Sequence, residues 1–339
     1  GSRLKTAAEI GFKKGSFIVA PIPFDNPAIG AGLALGGGYL FKSDSESNTS
    51  AIGAGAFKTE NGSKGYALGF NLNFDSDRWK TTFLAGSVDL NYDLYVRGTP
   101  VPINQTAEVL SAKVLYGARP DLSFGGAINY AESTIGPDGV GILPPDLTPQ
   151  LDLNILRFDA IAQLDRRDDT IYPTTGILAT GDVTYGMITG GAFISRDRDY
   201  TKAVAKVAHY SPVFRDGVFA WQAAACAASE YAPFFDACSL GGTDSFRGYS
   251  PTEYIDNGLF SLQAEYRGRL TRRLGFVVFA GAGSVGSDLE NALTSEYRAA
   301  GGVGARIRLS RKFPLDYAID VSINDVGENI LYVSVGQRF

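Results

Sequence analysis

Much of what usually marks an enzyme or a nucleic-acid-binding protein is scarce in this sequence. Its 339 residues include one histidine, His209, and two cysteines, Cys226 and Cys238. So few imidazoles and thiols form no cluster with metal-ligand spacing, so no metal site or other cofactor is expected. The nucleophile-elbow pattern G-x-S-x-G is missing, and His209 lies mid-segment with no nucleophile motif beside it, so the expectation is not an enzyme. Positive charge is not in excess: 31 Lys and Arg stand against 36 Asp and Glu, a net charge of −5. That balance gives no reason to expect nucleic acid as a partner. No apolar run reaches the ~18 residues of a membrane helix. The longest uncharged stretches, Asn26–Phe41 and Gly275–Ser287, are glycine-rich. The two cysteines fit one disulfide in an oxidising compartment or two free thiols. A signal peptide is missing, as from any mature exported chain, and Gly1-Ser2 reads as a cloning remnant.

What the sequence does have is glycine (41 residues), tyrosine (17), phenylalanine (21) and a two-residue period. In Tyr66–Asp75, Tyr66, Leu68, Phe70, Leu72 and Phe74 share one face, and Ala67, Gly69, Asn71, Asn73 and Asp75 the other. Leu315–Asn324 and Phe260–Arg267 alternate in the same way, which is the pattern of a half-buried strand. Sixteen such segments can be marked: 15–21, 28–42, 49–59, 64–75, 78–96, 104–118, 120–133, 150–166, 176–189, 197–211, 215–230, 257–270, 273–286, 296–310, 314–324 and 329–339. No helix is evident. The connectors 134–149, 190–196, 231–256 and 287–295 are long, and the intervening ones are mostly tight and polar.

Two all-β readings compete: a soluble barrel or sandwich with apolar faces inward, and a membrane barrel with those faces toward lipid. Many segments exceed the five or six residues of an ordinary strand and reach the ~9–11 that cross the hydrocarbon at a tilt. Tyr66, Phe74, Tyr92, Tyr95, Tyr116, Tyr130, Tyr185, Phe260 and Tyr266 fall near segment ends, as interfacial girdles require. An even strand count, with short turns at one end and long loops at the other, completes the signature. The expected fold is a single sixteen-stranded antiparallel transmembrane barrel over 15–339, preceded by a tail at 1–14.

Within the longest connector lies Gly241–Tyr249, GGTDSFRGY. Its Phe246-Arg247-Gly248-Tyr249 resembles the hallmark of the BamA/TamA superfamily (the bacterial surface antigen family) of outer-membrane assembly and translocation barrels. Three further stretches share the resemblance. Leu164–Asp169, followed by Tyr172-Pro173 and Gly176, resembles the family's turn between strands eight and nine. Glu265 resembles the acidic position of strand twelve. Gly336-Gln337-Arg338-Phe339 resembles the terminal signal, including a glycine that can kink the last strand. The resemblance departs in two places. Relatives usually carry POTRA domains before the barrel, whereas only 1–14 precede the first segment, so this is an excised barrel or a POTRA-less member. The family pattern aromatic-x-Asp-x-Gly on strand thirteen reads Phe279, Gly281 and Gly283 here, with Gly281 where Asp is expected.

The resemblance implies that the connector folds into the lumen and that Arg247 pairs with inner-wall carboxylates. Alternation puts Glu265 on the polar face as its partner, while Gly281 offers no charge. A Cys226–Cys238 bridge would shorten the mobile part of this loop. Asp182, Asp316 and Asp320 read as ordinary acids of a wet lumen. Gly281–Gly286 matches G-x-G-x-x-G but lies inside a strand with no helix after it, so it is not a nucleotide site. The seam between first and last strands is the other candidate. Phe17 and Val19 mark one edge, and Val333, Val335, Gly336 and the terminal Phe339 the other. Pro21 and Pro23 cannot donate ladder bonds. The implied function is insertion or translocation of polypeptides through that seam in the bacterial outer membrane. Expected partners are outer-membrane lipids and lipopolysaccharide, client polypeptides and a separate periplasmic protein. A passive pore or structural barrel, or a lipid-handling barrel working with a separate enzyme, are the alternatives.

Overall fold

The computed structural model describes residues 11–96, 98–137, 151–190, 198–214, 217–241, 246–308 and 316–339. Residues 1–10 of the tail, 138–149 and 191–196 of two long connectors, and 242–245 lie outside the described residues. Sixteen antiparallel strands close a barrel in chain order. They begin with β1 (Ser16–Asn26), β2 (Gly30–Phe41), β3 (Ser50–Thr59), β4 (Lys64–Phe74), β5 (Trp79–Val96), β6 (Thr99–Arg119) and β7 (Leu122–Pro137). β8 (Leu151–Asp165), β9 (Gly176–Thr189), β10 (Arg198–Val213) and β11 (Gly217–Ala228) follow. The next connector carries a small hairpin of β12 (Cys238–Leu240) and β13 (Tyr254–Asp256). The wall then resumes with β14 (Gly258–Arg269), β15 (Leu274–Gly286), β16 (Arg298–Arg308), β17 (Asp316–Asn324) and β18 (Asn329–Val335).

The alternation that marks these strands also orients them. On β17, Asp316, Asp320, Ser322 and Asn324 are buried, whereas Val321 and Ile323 on the opposite face are exposed. Leu33, Leu35, Leu68, Val183 and Val303 are exposed in the same way. A surface of exposed leucine and valine around buried carboxylates is the inverse of a water-soluble barrel, and closure pairs the backbone of every wall strand with both neighbours except along most of the β1–β18 seam. His209 packs its ring on Trp221, 6.0 Å between centroids. Tyr92 departs from the expected girdle: its hydroxyl donates to the Gln105 side chain at 2.7 Å.

Wall height is uneven. β5, β6 and β7 have 18, 21 and 16 residues, more than the ~9–11 that span the hydrocarbon. The sixth strand starts at Thr99 rather than at 104. The Tyr95 amide donates to the Thr252 carbonyl at 3.3 Å, joining this tall side to the long connector. The connector 287–295, expected to be irregular, holds a helix, α1 (Leu289–Thr294), capped by the Asp288 carboxylate on the Asn291 amide. Six residues are too few to show a helical period in the sequence.

Both seam strands differ from expectation. β1 runs to Asn26 and includes Pro21 and Pro23, which an edge position tolerates because the missing N–H is not owed to a neighbour. β18 stops at Val335 instead of Phe339. Gly336 takes a φ of 102°, which a residue with a side chain adopts only with strain. The chain turns there, and Phe339 packs inside against Ala208, Tyr210, Val218 and Ala220. One ladder pair, Asp25↔Val333, joins β1 to β18, while β17 and β18 pair from Tyr317↔Val335 to Ile323↔Asn329. Continuing the β1–β18 register would bring Ile22 opposite Gly336 and Val19 opposite Phe339, residues that have left the wall. In lipid nanodiscs, amide exchange at Val19, whose N–H lies on the same side of β1 as the Pro23 carbonyl that Tyr317 reaches across the seam, is expected to be at least about tenfold faster than at Val204–Val207 of β10; equal protection would mean the β1–β18 ladder is continuous.

Candidate functional site

The long connector enters the barrel pinned at two places before it reaches its arginine. Cys226 on β11 is bonded to Cys238 at the start of β12. Just before it, Asp236 is 7% exposed. It accepts from Arg157 of β8 at 2.9 Å, from Lys202 of β10 at 3.1 Å, and from the Tyr200 hydroxyl. Phe234 and Phe235 pack against a buried cluster that includes Leu153, Ile155 and Ile188. Burial alone would raise the Asp236 carboxyl, but Lys202, Arg157 and the Tyr200 hydrogen bond outweigh it and hold it below the usual carboxylate range.

The segment Phe246–Tyr249 then docks on the other side, against β14 to β18. Arg247 is fully buried. Its guanidinium donates to Gln263 at 2.8 Å, to Asp320 at 3.0 Å and to Glu265 at 2.5 Å, and it lies 3.8 Å from the Phe279 ring centroid. Each of the three guanidinium nitrogens donates a hydrogen bond, two of them to carboxylates, as a desolvated arginine requires. Gly248 has a φ of 129°, and a Cβ there would collide with the Ala300 side chain. Its amide donates to the Tyr332 hydroxyl at 2.8 Å, and its carbonyl accepts from Asn324 at 3.1 Å. Tyr249 is buried and donates to Asp325 at 2.6 Å; burial and that carboxylate push its hydroxyl well above the usual tyrosine value.

Glu265 is shared. Its second oxygen accepts from Arg267 at 2.5 Å. Arg267 also donates to the main-chain oxygen of Phe339 and to the carbonyl of Pro173 at 3.4 Å. The Arg267, Arg269 and Arg308 guanidinium carbons lie 5.9, 4.8 and 5.4 Å from the Tyr172 ring centroid. The turn between β8 and β9 therefore reaches under the same cluster. Asp320 is shared too, accepting from Arg306 at 2.5 and 3.1 Å.

The structure brings together Phe246, Arg247, Gly248, Tyr249, Glu265, Phe279 and Phe339, residues singled out from sequence. Gly281 lies under the Phe246 ring, where a Cβ would sit 2.9 Å from it. A Cβ at Gly283 would sit 2.6 Å from the Leu240 side chain. Phe17 and Val19 pair with Tyr39 and Gly37 of β2 and take no part in the cluster. Val333 holds the seam pair, and Val335 pairs with Tyr317. Sequence reasoning missed Gln263, Arg267, Arg306 and Tyr332, and left Asp320 and Asp316 as ordinary lumenal acids. Asp316 instead accepts from Arg269 at 2.5 Å and Arg308 at 2.6 Å. The inward alternation of each was visible; which of them meet was not.

A profile of the Omp85 superfamily domain matches residues 51–339. The chain belongs to the Omp85 superfamily. Its fold resembles that of BamA from Haemophilus ducreyi lacking POTRA domains 1–3, at 12% identity and a TM-score of 0.65, covering 95% of this chain and 70% of that one. CdiB from Acinetobacter baumannii is similar at 12% identity and 0.58, covering 94% and 59%. CdiB from Escherichia coli is similar at 12% and 0.59, covering 97% and 68%. No curated protein matches the chain. As an Omp85 barrel it is an integral protein of the bacterial outer membrane.

Replacing Glu265 by Gln in this Omp85 barrel leaves Arg247 and Arg267 short of a buried counter-charge, a loss of about 3–5 kcal/mol. A lowered denaturation midpoint in detergent is expected. An unchanged midpoint would show that the arginines are neutralised elsewhere. Asp236 gives a pH test. A carboxyl lowered on folding adds stability that is present above its unfolded value, ~3.9, and lost as pH falls through its folded value. Protease nicking within 229–237 should therefore stay slow from neutral pH to ~4 and rise only below, whereas Asp236→Asn should be nicked readily throughout.

Proposed function

We propose that this barrel inserts or translocates polypeptide strands through the β1–β18 seam, with the docked connector blocking the straight path through the lumen. The observation that carries this reading is the seam itself, one ladder pair on a wall otherwise continuously paired among the described residues. Strand edges without partners template incoming strands, and β1 presents such an edge from Val19 to Ile22. β18 has seven residues, fewer than the ~9–11 that match the hydrocarbon, so lipid beside the seam is expected to thin. The family resemblance read from the Arg247 motif points the same way. No step of this function makes or breaks a covalent bond, which suits a chain read as non-enzymatic. Outer-membrane lipid and lipopolysaccharide would surround the exposed belt, and client polypeptides, delivered by a separate periplasmic protein, would meet the β1 edge.

A passive pore is favoured by one observation, the polar lining away from the docked loop. There Asp159 accepts from Asn129 and from Thr184, each at 2.5 Å. Two experiments separate the readings. Asp25→Cys with Val333→Cys, oxidised, locks the seam. Insertion of an unfolded barrel client into proteoliposomes should stop when locked and recover on reduction. Insertion that continues through the lock would overturn the lateral reading. In planar bilayers, wild-type conductance should be small and Arg247→Ala conductance several-fold larger; a large, steady conductance unaffected by Arg247→Ala favours the pore.

A further inference from the structure

One residue on the outer face of the barrel spans the seam. Tyr317 lies on β17, two strands from β1, and faces lipid like Val321 and Ile323 on the same side. Its hydroxyl donates to the Pro23 carbonyl of β1 at 3.2 Å. Register explains why the carbonyl is free to accept. Tyr317 pairs with Val335 on β18. Continuing Asp25↔Val333 by two residues brings Pro23 opposite that same Val335. A proline cannot return an N–H to Val335, so no reciprocal ladder pair can form in this row. One step further the wall loses its last strand altogether, because Gly336 turns the chain inward. The tyrosine thus reaches over Val335 and donates to a carbonyl that lies beyond the one ladder pair, Asp25↔Val333.

We propose that Tyr317 is a clasp that sets how often the seam is open. This rests on the lateral reading above, and it adds a particular bond whose breaking starts the opening. The bond lies on the lipid-facing surface, where few competing water molecules are available to replace it. Its acceptor is a main-chain carbonyl in a row that the β1–β18 ladder does not pair. An incoming strand that offers an N–H to Pro23 would compete for that same carbonyl. Client entry and release of the clasp would then be one exchange of donors on a single acceptor. Pro23 acquires a role in this arrangement: with no N–H to return to Val335 it keeps β18 from sealing the row, so that closure depends on a side chain able to rotate away.

The test uses the full chain in lipid nanodiscs, with spin labels at Leu35→Cys on β2 and Val321→Cys on β17. Both native residues are exposed on the outer face, and the native cysteines are already bonded to each other. Electron–electron distances across the seam should show a minor, longer population in the wild type. Tyr317→Phe keeps the ring and removes only the hydroxyl, and should enlarge that population about three- to tenfold, the factor set by one net hydrogen bond. A distribution unchanged by Tyr317→Phe overturns the clasp, whatever the seam does. Failure of the lateral reading is distinguishable: the Asp25→Cys/Val333→Cys lock would leave client insertion intact while the Tyr317→Phe shift in distance remained. Heat modifiability on a gel checks that both variants are folded barrels.

Discussion

The carboxylate of Glu265 holds two parts of the molecule that enter the barrel from opposite ends. One oxygen takes Arg247, carried in by the long connector, and the other takes Arg267, two residues along the same strand. Arg267 in turn holds Phe339 and Pro173. Three buried guanidiniums (Arg247, Arg267 and Arg306) share two carboxylates, Glu265 and Asp320. The remaining demand is met by Gln263, main-chain oxygens and aromatic faces. Such a cluster stabilises little relative to an apolar core, but no member can be removed cheaply, since each loss strands a desolvated charge. Interlocking of this kind specifies one arrangement of loop, wall and tail.

The weak seam follows from the same cluster. Phe339 sits 5.7 Å from the Arg247 guanidinium carbon and 5.9 Å from that of Arg267, measured to its ring centroid. To put it there, the chain must leave the wall at Gly336. Those residues are the ones that would otherwise pair with Val19 to Ile22. Filling the lumen below the loop and leaving the β1 edge open are therefore one structural choice seen from two sides. The wall is tallest away from the seam, where β5, β6 and β7 have 18, 21 and 16 residues.

The fold was legible because a two-residue period is all a barrel strand needs to declare its two faces. The Arg247–Glu265 pair was legible for the same reason, once the motif was placed in the connector before Glu265. Asp320 was not. Its inward face could be read, but its reach to Arg247 depends on how far neighbouring strands are staggered, which no single segment records. Tyr92 failed similarly, because an aromatic near a strand end looks the same whether it faces lipid or Gln105. The extent of β18 was hidden by its last four residues, which continue the strand-like pattern while the backbone turns at Gly336. Arg267 and Arg306 went unremarked because an arginine in a wet lumen is unexceptional until it is found buried.

Gly281 ties these points together. The family pattern has an Asp there, and glycine offers Arg247 no charge. In this barrel a Cβ at 281 would meet the Phe246 ring at 2.9 Å and the Gln263 Cα at 2.8 Å, so the loop rests directly on the β15 wall. The second carboxylate must then come from elsewhere, and it comes from Asp320, two strands nearer the seam. The charge is moved, not lost. Moving it docks the connector onto β17, the strand that also carries Tyr317 and pairs with the end of β18. A loop held only by β14 and β15 could leave without disturbing the seam. One held by Asp320 and, through Gly248, by Asn324 on β17 and Tyr332 on β18 cannot, because withdrawing it removes buried partners from β18, which flanks the opening, and from β17, on which β18 is paired.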